Sequence, residues 1–153
     1  TWWQLPTPPW PARRQATAAL LQDGSVILVA GRPASEHGYC EDAWRSGDGG
    51  ATWTQLPKPP WLPRYGASAV TVVDGGPMLF MGGESYGVHL TDLWRTKDGQ
   101  LWHKLPKPTW PGRLGAVAAA LPCGAVLVAA GHGEGKFLGD VWRSSREWRD
   151  TYA

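Results

Sequence analysis

The sequence predicts an all-β protein built from three repeats of four antiparallel strands, and three observations carry that reading. Residues 42–61, D-A-W-R-S-G-D-G-G-A-T-W-T-Q-L-P-K-P-P-W, recur as 92–110 and again, decayed, as 140–148. The equivalent tryptophans Trp44, Trp94 and Trp142 are 50 and 48 residues apart, and no stretch between them has helical periodicity with caps. Short apolar runs are paired across Asp-Gly or Cys-Gly, a hairpin signal because these turns need residues that tolerate positive φ.

The elements follow in one order within each repeat. A Pro-rich loop ending in Trp10, Trp61 or Trp110 leads to Arg13, Arg64 or Arg113. Strand a comes next, at 16–21, 67–73 and 116–121, and a turn at Gly24, Gly75 or Gly124 joins it to strand b at 26–30, 78–81 and 126–130. Both strands are continuously apolar, which for strands of this length implies burial on both faces. Strand b closes at Gly31, at Gly82-Gly83 and at Gly131, and a loop of variable length follows. Strand c is the Asp-x-Trp-Arg segment from Asp42, Asp92 or Asp140, half exposed by its alternation, and strand d begins at Trp53, Trp102 and Trp148. Residues 1–10 repeat the end of a unit, since Trp2-Trp3-Gln4-Leu5-Pro6 and Pro8-Pro9-Trp10 match Trp53-Thr54-Gln55-Leu56-Pro57 and Pro59-Pro60-Trp61. Residues 11–61, 62–110 and 111–153 are then the three units, and the opening inside a repeat suggests a processed or truncated polypeptide.

These markers, glycines after strand b, Asp-x-Trp, the tryptophan of strand d and the arginine opening the next unit, resemble the kelch motif of β-propellers over nearly the whole chain. The resemblance implies kelch-type blades and a partial propeller, unless other chains or further sequence complete it. Two departures stand where Arg32 and His132 follow the glycine, and either distortion of those blades or another use of the position is expected there. Residues 46–53, S-G-D-G-G-A-T-W, resemble the Asp-box turn of propeller sialidases and of many non-enzymatic propellers, with a degenerate second copy at 96–102. Its chemistry is that of a folding device: a carboxylate accepting from the amides of its own turn, glycine supplying positive φ, and tryptophan packing the turn down.

Composition narrows the function. A net charge of +2 without any run of Lys or Arg offers no basic stripe for nucleic acid. No apolar run approaches the roughly 20 residues of a membrane-spanning helix, so membrane insertion is not expected. Cys40 and Cys123 occupy non-equivalent positions on opposite faces and are expected to be free thiols; they do not fix a compartment. Because strands alternate in direction, the b–c and d–a connections share one face. That face collects the candidate binding residues. His37, His89 and His132 lie with Glu36, Glu41, Glu84 and Glu134 in the b–c loops, at spacings too irregular to argue a metal site. Arg13, Arg64 and Arg113 are placed either to hold an anion bidentately or to pair with a neighbouring Asp. Trp10, Trp61 and Trp110 serve either as wedges between units or as flat faces for sugar rings or a partner.

No catalytic constellation is present, and no cofactor is called for. The expected function is a non-catalytic interaction or structural module of a larger assembly, bound to protein partners or to copies of itself; the alternative is a carbohydrate-binding propeller or a fragment of a glycan-active enzyme. Three blades cannot close a ring that typically needs four to eight, so the chain alone is expected not to be a stable monomer. Trp44, Trp94 and Trp142 are expected to be largely buried.

Overall fold

A computed structural model describes residues 1–35 and 37–145; Glu36 and the last strand expected at Trp148 lie outside the described residues. Over these the chain is all-β, without helix, and its antiparallel sheets recur from repeat to repeat. The first repeat contains β1 (Arg13–Arg14), β2 (Thr17–Leu20), β3 (Val26–Val29), β4 (Arg32–Pro33), β5 (Ala43–Ser46) and β6 (Thr54–Leu56). In the second come β7 (Ser68–Thr71), β8 (Met78–Met81), β9 (Glu84–Ser85), β10 (Val88–His89), β11 (Leu93–Thr96) and β12 (His103–Lys104). The third has β13 (Val117–Ala120), β14 (Val126–Ala129), β15 (His132–Gly133), β16 (Lys136–Phe137) and β17 (Val141–Arg143).

The main sheets run β2-β3-β5-β6, β7-β8-β11-β12 and β13-β14-β17, each a meander in chain order. Strands a to d of the sequence reading are these strands, shorter by a residue or two at their ends. The short β4, β9-β10 and β15-β16 occupy the b–c loops, where the sequence shows only variable polar segments.

The sheets stand side by side, with β7 between β2 and β13. Their junctions use the same bonds twice. Thr17 Oγ1 donates to the Ala67 carbonyl at 2.6 Å, and Ser68 Oγ to that of Ala116 at 2.6 Å. Gly31 N donates to Arg64 O at 2.9 Å and Gly83 N to Arg113 O at 2.8 Å. Gly66 N donates to Gln15 O at 3.1 Å and Gly115 N to Gly66 O at 2.7 Å. Each junction encloses an apolar core: Ile27, Val29, Trp61, Met78 and Phe80 in the first, and Leu79, Met81, Leu105, Trp110, Val126 and Val128 in the second. Alternation along each b strand decides this, because successive side chains point to opposite faces. Met78 and Phe80 therefore face the first sheet while Leu79 and Met81 face the third.

Three expectations change. Burial on both faces holds for β8 alone among the a and b strands; β7, also flanked by a sheet on each side, is mostly half-buried. β3 and β14 alternate between buried and half-buried, and the end-sheet a strands β2 and β13 are more open still, because the end sheets have one neighbour among the described residues. The glycine register also shifts. Gly31, Gly83 and Gly131 are the equivalent ones, with φ of 103°, 93° and 99°, and a Cβ on any of them would crowd Ala16, Ala67 or Ala116. The residue before them is left-handed in every repeat, Ala30 at 63°, Gly82 at 66° and Ala130 at 57°. So Arg32, Glu84 and His132 are equivalent to one another and open the b–c connections, which form hairpins in the second and third repeats, and the departure from Gly-Gly falls on the two alanines without distorting the main sheets. Finally, Trp44, Trp94 and Trp142 are half-buried rather than largely buried.

Candidate functional site

The three arginines are built into one recurring clamp. Arg64 donates through Nη1 and Nη2 to Asp92 at 2.5 and 2.8 Å, and through Nη1 to the Gly82 carbonyl at 3.0 Å. Arg13 does the same with Asp42, at 2.7 and 2.8 Å, and with the Ala30 carbonyl at 3.3 Å. Arg113 pairs with Asp140 at 2.7 and 2.8 Å and with Ala130 O at 2.9 Å. The same carboxylates accept the indole N–H two residues later, from Trp44, Trp94 and Trp142 at 2.7, 2.7 and 2.6 Å. This explains the Asp-x-Trp spacing: along a strand, residues two apart share a face, so one carboxylate can serve both the arginine and the indole. Arg64 and Arg113 are fully buried, so these guanidiniums are parts of the scaffold and do not ring an open mouth.

Two of the three tryptophans of the d–a loops are likewise interior, while Trp10 is half-buried. Trp61 and Trp110 are 8% and 7% exposed, Trp61 standing edge-on to Trp102 at 4.0 Å and Trp10 to Trp53 at 4.6 Å. They wedge the sheets and present no free flat face. The glycine-rich turn after β5 is held by its own side chains, Asp48 accepting from Thr52 N at 2.9 Å and from Thr52 Oγ1 at 2.6 Å. Trp53 Nε1 closes it onto Gly50 O at 3.0 Å, and Trp102 repeats that bond with Gly99 at 3.0 Å.

Of the histidines, His89 and His132 meet, Nε2 to Nδ1 at 3.3 Å, with Phe137 edge-on to His132 at 5.5 Å. His37 stands apart on the exposed b–c loop of the first repeat. Among the described residues no three His, Cys, Asp or Glu side chains are grouped to hold a metal ion. Cys40 and Cys123 are both free, as expected, and burial pushes the Cys40 thiol up.

The sequence reading missed a cluster on this face, at the junction of the first two sheets. Arg32 lies over the rings of Tyr65 and Tyr39, 4.8 and 5.4 Å from their centroids, and the two rings stack at 6.1 Å. Beneath them Glu84 accepts from Tyr39 at 3.2 Å, from Gly87 N at 2.6 Å and from the Tyr65 hydroxyl. Tyr86 is 72% exposed, tilted over Tyr39 at 4.8 Å, and holds a left-handed backbone with φ of 49°. Its amide is fixed by donation to the Tyr39 hydroxyl at 2.6 Å. A tyrosine in that conformation is uncommon, because its Cβ crowds the following carbonyl. Equivalence with Glu134, also left-handed at 51° and also followed by glycine, is the signal that a repeat alignment of the b–c loops would have offered.

No family model matches the chain, and no curated protein matches it. The electrostatics of the site therefore come from its own geometry. Partial burial pushes Asp42 and Asp92 up, but the hydrogen bonds from their arginines and tryptophans outweigh it and hold both below the usual carboxylate range. Asp140 is also held below that range, by Arg113 and then Trp142, and Asp48 is lowered to about 2 by the Thr52 side chain and amide. A carboxylate lowered in the folded state stabilises it above the unfolded value of about 3.9, and that contribution is lost as pH falls through the folded one. We expect a melting temperature that is flat from pH 7 to 5 and falls steeply from about pH 4 to 2. Thermal melts followed by circular dichroism check this, and a value at pH 2.5 equal to that at pH 7 would contradict it.

Proposed function

We propose that the chain is a non-catalytic interaction module made of kelch-type propeller blades, with Asp-box turns at the outer edges of the first two. The repeated meanders, the side-by-side β2, β7 and β13, and the self-bonded turn around Asp48 support the architecture. One observation carries the function: Arg13, Arg64, Arg113, Trp61 and Trp110 are engaged in the scaffold, whereas large side chains stand open at the b–c hairpins. Phe137 is 88% exposed and Tyr86 and Val88 are also exposed, on connections that share one face. Exposed aromatic and aliphatic groups on loops held by a rigid scaffold suit a protein partner.

Tyr86 and Arg32 favour a second reading, a carbohydrate site, because a pyranose ring stacks on an open aromatic face while a guanidinium binds its hydroxyl or carboxylate oxygens. A panel of neutral and acidic oligosaccharides separates the two. The interaction reading expects no saturable change in intrinsic fluorescence up to millimolar sugar. Saturable quenching that disappears in Arg32→Ala and Tyr86→Ala, with the melting curve preserved, would overturn it in favour of the sugar site.

A further inference from the structure

We propose that Arg14 and Arg32 form a receptor for a phosphate monoester, which the protein partner of this module presents on a phosphorylated side chain. The proposal rests on the interaction-module reading and names the chemistry of its partner.

The three repeats serve as controls for one another. One cross-strand pair recurs where the b–c connection opens: Arg14 opposite Arg32 in the first repeat, Tyr65 opposite Glu84 in the second and Leu114 opposite His132 in the third. In the second repeat the pair is complementary, since the Tyr65 hydroxyl donates to Glu84. The third sets an aliphatic side chain against an imidazole. In the first, two guanidiniums stand opposite each other. Directly opposed residues of an antiparallel pair carry their side chains on one face, where like charges repel. The fold does not require two cations there, because the same backbone pairing forms without them in both other repeats.

Neither cation is neutralised by the scaffold. Among the described residues the Arg14 and Arg32 side chains make no hydrogen bond or ion pair. Asp42 is taken by Arg13 and Trp44, and Glu84 already accepts from Tyr39, Tyr65 and Gly87. Arg32 is held instead by ring faces, 4.8 Å from the centroid of Tyr65 and 5.4 Å from that of Tyr39. Such stacking fixes a guanidinium while its N–H donors stay available to another acceptor. Arg14 is exposed and Arg32 half-buried, so a ligand reaches both.

Two forks on one face select among anions. The two oxygens of a carboxylate are used by one bidentate guanidinium, whereas the three terminal oxygens of a phosphate monoester serve two, and its charge of about −1.5 to −2 at pH 7 matches a pair of cations. The surroundings favour a protein as its carrier. Tyr39 links the receptor to Tyr86, which is 72% exposed and offers a contact to residues flanking a phosphorylated side chain. The sequence has no run of Lys or Arg of the kind that gathers on an anionic membrane.

The test follows the fluorescence anisotropy of labelled peptide pools with a fixed phosphoserine, phosphothreonine or phosphotyrosine and degenerate flanks, beside the same pools unphosphorylated or with glutamate at the fixed position. A phosphorylated pool should bind saturably at micromolar concentration, about tenfold or more tighter than both counterparts, and inorganic phosphate should displace it. Arg32→Ala and Arg14→Glu should each weaken this binding by about tenfold or more. Arg14→Glu supplies a second readout. It replaces a like charge with an opposite one, so its melting temperature should equal or exceed that of the parent. Binding that ignores the phosphate, that is matched by glutamate or that survives Arg14→Glu overturns the receptor. So does a melting temperature lowered by more than about 2 °C in Arg14→Glu, which would place Arg14 in the scaffold. Sedimentation with phosphoinositide vesicles without phosphopeptide binding overturns it in favour of a lipid. Absence of any peptide binding overturns the receptor alone, since contacts through Tyr86, Val88 and Phe137 need no anion. The interaction module itself falls to a different result, the saturable sugar quenching that Arg32→Ala and Tyr86→Ala remove.

Discussion

Arg64→Ala is expected to lower the melting temperature by roughly 6–20 °C, the equivalent of about 3–5 kcal/mol in a chain of this size. Arg64 is fully buried and joins three pieces of backbone through Asp92, Gly82 O and, at 3.0 Å from Nε, Leu62 O. Removing it leaves the Asp92 carboxylate without its partner in a partly buried site, and that uncompensated charge is the larger part of the loss. The left-handed Gly82 also loses the guanidinium on its carbonyl. Lysine should recover only part of the stability, since a single ammonium cannot reproduce the planar fork. Removing both charges together, Arg64→Met with Asp92→Leu, is expected to be milder than Arg64→Ala, because no ion is then left unpaired. Arg13→Ala should cost less, as Arg13 serves an end sheet and its Nε is unbonded. Thermal melts at pH 7 decide the matter: an Arg64→Ala variant within 2 °C of the parent (roughly 1 kcal/mol or less at this size) would remove the clamp from this account.

Trp61→Ala should cost a similar amount, about 3–5 kcal/mol, by opening a cavity at the junction of the first two sheets. Its ring lies 4.6 Å from Phe80, 4.0 Å from Trp102 and 6.1 Å from Trp94, and each well-oriented aromatic pair adds about 0.5–1.5 kcal/mol beyond area burial. The equivalent Trp10→Ala should be gentler, because Trp10 is only half-buried and packs on a sheet with a single neighbour. Urea denaturation of the two variants checks the order. Equal losses, or a larger loss for Trp10, would mean that the d–a tryptophans act through their own loops and not by wedging sheets together.

Much of the architecture was legible in residues close together in sequence. Asp-Gly and Cys-Gly turns between apolar runs located the hairpins, and β3, β8 and β14 end within one residue of the expected strands. A period near 50 residues with no helical pattern placed Trp44, Trp94 and Trp142 on equivalent strands. Local conformational preference and strand alternation suffice for such features, since each depends on neighbours a few positions away. The candidate site was another matter. Arg13, Arg64 and Arg113 were visible as equivalents, but both an open ring and an Asp-paired scaffold fit their sequence positions. Their partners lie 27 to 29 residues away, across a sheet. Arg32, Tyr39, Tyr65 and Tyr86 gave no sign of meeting, because contacts such as that of Tyr39 with Glu84 cross between two units 45 residues apart.

The amino-acid order by itself determined that this is an all-β chain, where its hairpins turn, and that its units repeat. Only the tertiary structure decided that Ala30 and Ala130 take the left-handed conformation where the second repeat has Gly82, that Trp61 and Trp110 are interior, and that the arginines are clamps. The physical reason is that a strand or turn is set by torsional preference and the in–out alternation of side chains, which are written locally. Burial, ion pairing and a strained φ depend on what the neighbouring sheet brings against the residue, as the Arg113 guanidinium on the carbonyl of Ala130 does at 2.9 Å.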